Sequence, residues 1–429
     1  MKLNLRGLKR LAAVTCLLAV LSGCTFFSDP VSQMKSPRLS EDKATLMAAI
    51  SSLTPLPSAL LRPVNDDDSL IFTEDLNKDG VMETLVFYET PGEAVQIHGM
   101  ILEKQGEAWV KKLVFDGDGT VLESVNLRDL TGDGHLDIIV GYSRGEEKGL
   151  VVYSYSSGAL EEILRLPYTE YIIDDLNDDG QLDITVVYFK RNEFATVTTY
   201  QYSGEFKILD KLDDLDPYFN NYYNIVSGKV AENKEGIILD AAVDSHSAYS
   251  YMVVMENNKL RVAVPGDART YKDRRINSED IDGDGIIEIG LLEMPKGWEY
   301  FDPETIPYFN AYYKWDGKNG LAFSALQYRD PADRFVIKFP AEWHGNVTVD
   351  TKSVQDKSLK FIMSDTGETV AEVAFFSPTD WERSKSEGWE LLGRGADKFI
   401  GYRGKLEQSI NGGSSNKITA PIERKGIDE

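Results

Sequence analysis

Short apolar runs rich in β-branched and aromatic residues recur along the chain. They include residues 84–88 (TLVFY), 138–142 (IIVGY), 184–188 (ITVVY) and 289–293 (IGLLE). Each is too short for a stable helix and is bounded by Asp, Asn and Gly, so each predicts a β-strand. A second element follows each run: two alternating segments around a Gly- or Asn-containing turn, at residues 100–113, 151–164, 198–209, 252–263 and 312–323. These predict β-hairpins.

The turns ahead of the apolar runs share one pattern. Asp75-Leu-Asn77-Lys-Asp79-Gly80-Val81-Met-Glu83, Asp129-Leu-Thr131-Gly-Asp133-Gly134-His135-Leu-Asp137, Asp175-Leu-Asn177-Asp-Asp179-Gly180-Gln181-Leu-Asp183 and Asp280-Ile-Asp282-Gly-Asp284-Gly285-Ile286-Ile-Glu288 place side-chain oxygens at positions 1, 3, 5 and 9, with glycine at position 6. Calcium takes six to eight oxygens at flexible angles. A loop of alternating side chains turned by a glycine can supply them, with the backbone carbonyl of position 7 (Val81, His135, Gln181, Ile286) as a further ligand. Hard oxygen donors without sulfur favour calcium over zinc or copper. An EF-hand would need a glutamate at position 12 and flanking helices. Position 12 is instead Val86, Val140, Val186 or Leu291, and strands follow.

The motif glycines Gly80, Gly134, Gly180 and Gly285 are 54, 46 and 105 residues apart. The longest gap holds a fifth copy around Gly236, with Ala231 at position 1, which predicts a loop without metal. A unit of about fifty residues with four short strands, one loop and one hairpin predicts a propeller blade. The expected fold is mainly β: a β-propeller of about five four-stranded blades over residues 67–328. The aspartate loops resemble FG-GAP and VCBS repeats, the calcium-binding propeller repeats of integrin α-subunit heads and bacterial surface proteins. That resemblance implies about four calcium sites that pin blades and a role in binding or interaction. The expected ligand is a protein or a glycan.

After residue 328 the aspartate loops stop. Strand-like runs at 334–343, 346–350, 358–365 and 371–378 and a helical candidate at 379–386 predict a small α+β domain over 329–405. The polar stretch of 406–429 reads as a disordered tail.

The amino terminus predicts an address. Residues 1–10 are basic, 11–21 are apolar, and Leu21-Ser22-Gly23-Cys24 follow. The order is that of a secretory signal over 1–23, and its end resembles a bacterial lipobox, which implies lipidation at Cys24. The expected localisation is the bacterial cell envelope, lipid-anchored on the outer face of the cytoplasmic membrane, or at the outer membrane in a Gram-negative cell. Residues 24–66, with five prolines and one alanine-rich stretch after Ser40, read as a tether containing a short helix. The only cysteines are Cys16 and Cys24, so no disulfide is expected in the mature chain.

A formal charge of −24 excludes nucleic acid as a partner and suits a collector of cations. Catalytic signals are weak. Gly141-Tyr142-Ser143-Arg144-Gly145 fits the GxSxG nucleophile pattern, which requires a following helix, and strand residues follow instead. No catalytic residue is assigned and no enzymatic activity is expected; an extracellular carbohydrate-active enzyme and a scaffold of an envelope complex are the alternatives. Tyrosine clusters at Asp216–Tyr223 and Pro307–Tyr313 predict equivalent places in two blades, with Tyr222 and Tyr312 as candidates for a ligand surface. Asp116-Gly117-Asp118-Gly119 reads as a plain turn.

Overall fold

The computed structural model describes residues 41–65, 69–156, 158–395 and 397–410. The signal segment, Cys24 and the tail beyond residue 410 lie outside them. The described residues carry 27 β-strands and two α-helices, and they fall into two compact units.

The first unit holds the described residues up to Leu61 together with Ile71–Glu74 and Gly80–Asp116. Its sheet runs through β2 (Ile71–Glu74), β3 (Glu83–Glu89), β4 (Ile97–Gln105) and β5 (Ala108–Asp116), all antiparallel. β1 (Ala59–Leu61) pairs with the far end of β3 on the edge that β2 also uses. The alanine-rich stretch forms helix α1 (Glu41–Leu53), where a short helix was expected within the tether of 24–66. Leu46, Ala49, Ile50 and Leu53, spaced at i, i+3, i+4 and i+7, pack on Val86, Tyr88, Met100, Leu102 and Trp109. Pro55, just beyond, cannot continue the helix. Pro55 and Pro57, read from sequence as spacer, separate a docked helix from an edge strand.

The second unit holds Arg62–Leu70, Asp75–Asp79 and the chain from Gly117 onward. Three of its sheets have four antiparallel strands in sequence order. They comprise β6 (Val121–Arg128), β7 (Asp137–Arg144), β8 (Glu147–Ser156) and β9 (Ala159–Tyr168); then β10 (Glu170–Asp174), β11 (Asp183–Lys190), β12 (Phe194–Tyr202) and β13 (Phe206–Leu212); then β14 (Asn221–Ala231), β15 (Lys234–Ala242), β16 (Ala248–Glu256) and β17 (Lys259–Val264). A fourth sheet orders β18 (Ile289–Glu293), β19 (Phe309–Trp315), β20 (Leu321–Arg329), β21 (Phe335–Phe339) and β27 (Gln408–Ile410).

All five expected hairpins form. Each carries a register shift opposite Ile101/Leu102, Val152/Tyr153, Thr199/Tyr200, Met252/Val253 and Tyr312/Tyr313, with the extra residue in the strand leaving the turn. A bulge at the same place in every hairpin bends and twists each alike, which is the local mark of one repeated unit.

Two boundaries move. Phe335–Phe339, expected to open the C-terminal domain, instead pairs with β20, and β27 inside the expected tail pairs with β21. The remaining sheet consists of β22 (Val347–Val349), β23 (Ser358–Met363), β24 (Thr369–Phe376), β26 (Phe399–Gly404) and β25 (Glu390–Arg394), with helix α2 (Pro378–Ser384) capped by Ser377. It shares a core with the preceding sheet: Phe309, Leu326, Phe335 and Ile337 cluster with Val347, Phe361, Val373 and Tyr402. Alternating apolar residues revealed these strands but not which partners would cover them.

Candidate functional site

Each aspartate loop ends at the head of a strand, with its position 9 acid at or beside the first paired residue. The four copies share one backbone conformation. Position 6 is left-handed in Gly80, Gly134, Gly180 and Gly285, with φ between 85° and 88°, and position 4 is left-handed in Lys78, Gly132, Asp178 and Gly283. Two left-handed residues separated by one turn the chain inward, as an oxygen cage requires.

The position 1 carboxylate organises the loop. Asp129 accepts from the N–H groups of Gly132 (2.7 Å) and Gly134 (2.9 Å). Asp175 accepts from Asp179 (3.1 Å) and Gly180 (2.8 Å), and Asp280 from Gly283 (2.8 Å) and Gly285 (2.9 Å). The position 5 carboxylates of Asp133, Asp179 and Asp284 accept the N–H of His135, Gln181 and Ile286. The first copy is divided between the two units and is given in parts. In one, Asp79 N–H donates to Asp75 and Asn77 at 3.1 Å each; in the other, Glu83 is buried at the head of β3.

The position 9 acids carry the strongest signal. Glu83, Asp137, Asp183 and Glu288 are all 0% exposed. A buried carboxylate is costly unless paired, and the pairing differs from loop to loop. Asp137 Oδ2 accepts from the N–H groups of Leu130 (2.9 Å) and Thr131 (3.0 Å), while its Oδ1 takes no hydrogen bond. Neither oxygen of Asp183 takes one. Burial, with the charges of Asp179 and Asp175 adding repulsion, pushes the Asp183 carboxyl up to about 7 against a smaller opposing pull from the Leu176 N–H and the Gln201 amide nearby. Burial also raises Asp137 and Glu288 above the usual carboxylate range.

One set of residues is invisible to sequence spacing. Antiparallel register sets a side chain of the next strand opposite each position 9 acid. Glu103 lies opposite Glu83. Ser154 lies one step beyond the pair Ile138–Tyr153, beside Asp137; Gln201 one step beyond Ile184–Tyr200, beside Asp183; and Lys314 one step beyond Ile289–Tyr313, beside Glu288. Gln201 Nε2 donates to Asp179 Oδ2 at 2.7 Å.

Lys314 places its ammonium 2.8 Å from Asp282, 2.6 Å from Asp284 and 3.2 Å from Glu288. Burial opposes its charge, but these carboxylates outweigh burial and hold the pKa above the ordinary lysine range. Asp280, Asp282 and Glu288 form the only group of three acids among the described residues close enough to share a metal, and two of them, Asp282 and Glu288, already contact this lysine.

The donor sets at Asp129 and Asp175 fit a hard cation. They are oxygen-rich, backbone-ordered, and contain buried carboxylate oxygens that no protein donor satisfies. The loops also tie neighbours together: Leu136 N–H donates to Leu76 O (2.7 Å), Gln181 Nε2 to Leu130 O (3.3 Å), and Ile287 N–H to Lys229 O (2.7 Å). His135 is half-buried, with Nδ1 3.5 Å from Asp133 Oδ2, rather than turned to solvent. The fifth copy is no loop at all; two residues join β14 to β15, and Gly236 sits within the strand opposite Gly228.

Tyr222 and Tyr312 do not line a ligand surface. Both are buried, and they are not equivalent: Tyr222 lies in the first strand of its sheet, whereas Tyr312 lies in β19 between β18 and β20. Tyr312 Oη donates to Glu279 and accepts from Gln327, each at 3.2 Å. Ser143 of the GxSxG segment lies in β7, which turns directly into β8, and its hydroxyl donates to Glu123 at 2.5 Å. Asp116 and Asp118 each hold a separate partner, His98 and Arg165 respectively.

No family model matches the chain, and no curated protein matches it. Among solved structures the chain is similar to the exotype rhamnogalacturonan lyase YesX, at 10% identity over 70% of this chain and 74% of that one with a TM-score of 0.32. It is similar also to the β-propeller domain of the Trilobed protease from Pyrococcus furiosus, at 12% identity over 69% and 79% with a TM-score of 0.30, and to TolB from Acinetobacter baumannii, at 11% identity over 76% and 65% with a TM-score of 0.25.

Proposed function

We propose that this chain is a lipid-anchored protein of the bacterial envelope whose FG-GAP-like propeller of about five blades is pinned by calcium and serves as a binding or interaction module. The observation that carries the calcium reading is Asp183, a fully buried carboxylate with no hydrogen bond, at the end of a loop that presents Asp175, Asn177 and Asp179. Burial of such a group in its charged form is favourable with a cation beside it, the alternative being protonation. Asp137, half-satisfied above Asp129 and Asp133, repeats the arrangement. The propeller reading rests on the succession of four-stranded antiparallel sheets with a shared loop and a shared bulge. The anchor reading rests on Leu21-Ser22-Gly23-Cys24.

When bound, calcium supplies positive charge to the cage. The protein's part is to order the oxygens through the glycine turns and to couple each loop to its neighbour. Extracellular calcium modules bind with dissociation constants of roughly 0.1–1 mM, so at about 1 mM free calcium each site adds roughly 0.4–1.4 kcal/mol. The test is thermal unfolding of the protein in EDTA and in millimolar calcium. A clearly lower transition in EDTA is expected, and coincident transitions overturn the calcium reading. Affinity capture with the calcium-loaded protein against cell-wall glycans and purified envelope proteins tests the binding role; a set of captures no different from a chelated control overturns it.

A further inference from the structure

We propose that the Asp280 loop, the only one of the four with carboxylates at positions 1, 3, 5 and 9 alike, takes no calcium because Lys314 supplies its cation from within the chain. The inference rests on the calcium reading of the sister loops. Their common backbone makes the comparison direct: left-handed residues at positions 4 and 6, a position 1 carboxylate accepting two backbone N–H groups, and a buried acid at position 9. What differs is the side chain facing the position 9 acid from the adjacent strand: Ser154 and Gln201 in the second and third loops, Lys314 in the fourth.

The hydrogen bonding follows that difference. At Asp183 both buried oxygens lack a donor, and at Asp137 one does. At Glu288 neither does: Oε2 accepts the Ile281 N–H at 3.0 Å, and Oε1 accepts from Ser324 at 3.1 Å and lies 3.2 Å from the Lys314 ammonium. The same Ser324 hydroxyl, with one hydrogen to share, lies 3.0 Å from Asp282, which accepts from Lys314. The position 3, 5 and 9 carboxylates, which a metal would draw together, are already drawn to the ammonium. Its only covalent tether is the lysine stem, so its effective concentration at the cage does not fall when calcium is scarce. A calcium ion entering there must either sit against a like charge or drive the ammonium out of three carboxylate contacts. The lysine thus makes this blade-edge pin independent of metal, while the loops facing Ser154 and Gln201 depend on it.

The experiment is calcium titration of the metal-stripped full chain by calorimetry, with calcium alone as the probe, on the wild type and four single variants. Asp282→Asn is expected to leave the number of bound calcium ions unchanged, and Asp183→Asn to lower it by one. Lys314→Gln is expected to raise it by one, and Gln201→Lys, which installs the tethered ammonium in the third loop, to lower it by one. Loss of a calcium ion in Asp282→Asn overturns the proposal, as does a folded Lys314→Gln protein that gains none. Asp282→Asn keeps the question decidable should Lys314→Gln fail to fold. If neither the wild type nor any variant takes up calcium, the calcium reading of the whole array falls, and this inference with it.

Discussion

Asp240 and Lys272 form an ion pair 2.8 Å apart in which both side chains are completely buried. The Asp240 carboxylate also accepts from Asn224, Ser250 and both the N–H and hydroxyl of Ser278, and the ammonium donates to the carbonyl of Ile276. The pair thereby fastens the irregular segment that leads into the Asp280 loop onto β15. Removing one partner of such a pair strands a buried charge, at a cost of about 3–5 kcal/mol. Lys272→Met is therefore expected to lower the denaturant midpoint at an unchanged slope, and the Asp240→Asn/Lys272→Met double variant to recover part of the loss. A Lys272→Met protein as stable as the wild type would show that the pair contributes nothing.

A pH dependence follows from Asp183. Its carboxyl, pushed up to about 7 by burial and by Asp179 and Asp175, compares with about 3.9 for an unfolded aspartate. A carboxyl raised in the folded state favours the protonated form. Its contribution is fully present below about pH 4 and is lost as pH rises through about 7. The metal-free protein is expected to melt higher at pH 5.5 than at pH 8. General self-repulsion of an acidic chain acts in the same sense, so the diagnostic measurement is Asp183→Asn in EDTA, which should flatten the profile. A profile identical to the wild type's would remove Asp183 as its source.

Helix α1 buries Ile50 to 1% exposure against the sheet of the first unit. Ile50→Ala should destabilise that unit by about 2–4 kcal/mol, the usual cost of a large-to-small change in a packed core. Hydrogen exchange localised to β3 and β4 is the measurement. Unchanged protection there would return the helix to the role of a spacer.

The two tyrosines once equivalent on paper separate under conservative substitution. Tyr222 Oη is buried without a hydrogen-bond partner, so Tyr222→Phe should change stability by less than about 0.5 kcal/mol or raise it. Tyr312 bridges Glu279 and Gln327, and Tyr312→Phe should cost about 1–2 kcal/mol because it leaves buried acceptors and donors behind. Urea denaturation distinguishes the two, and equal effects would contradict the packing assigned to them.

The sequence by itself determined the strands, the hairpins and the loops. Their signals are local: short β-branched and aromatic runs at 84–88 or 184–188, turn residues at fixed offsets, and glycines where a left-handed backbone is needed. The helix in residues 41–53 was legible for the same reason, but its docking was not, because an alanine-rich stretch among prolines does not say what covers Leu46 and Ile50. Tertiary structure decided that Phe335–Phe339 completes the preceding sheet, that β27 returns to it, and that Tyr222 and Tyr312 are interior. It also brought a lysine to the loop with the most ligand-position carboxylates. Counting carboxylates makes Asp280 the strongest metal site, yet the charge facing it comes from Lys314, 26 residues beyond Glu288, and only the pairing of β18 with β19 brings that ammonium to the cage. Coulomb interactions act through space, and the distance that matters is set by strand register.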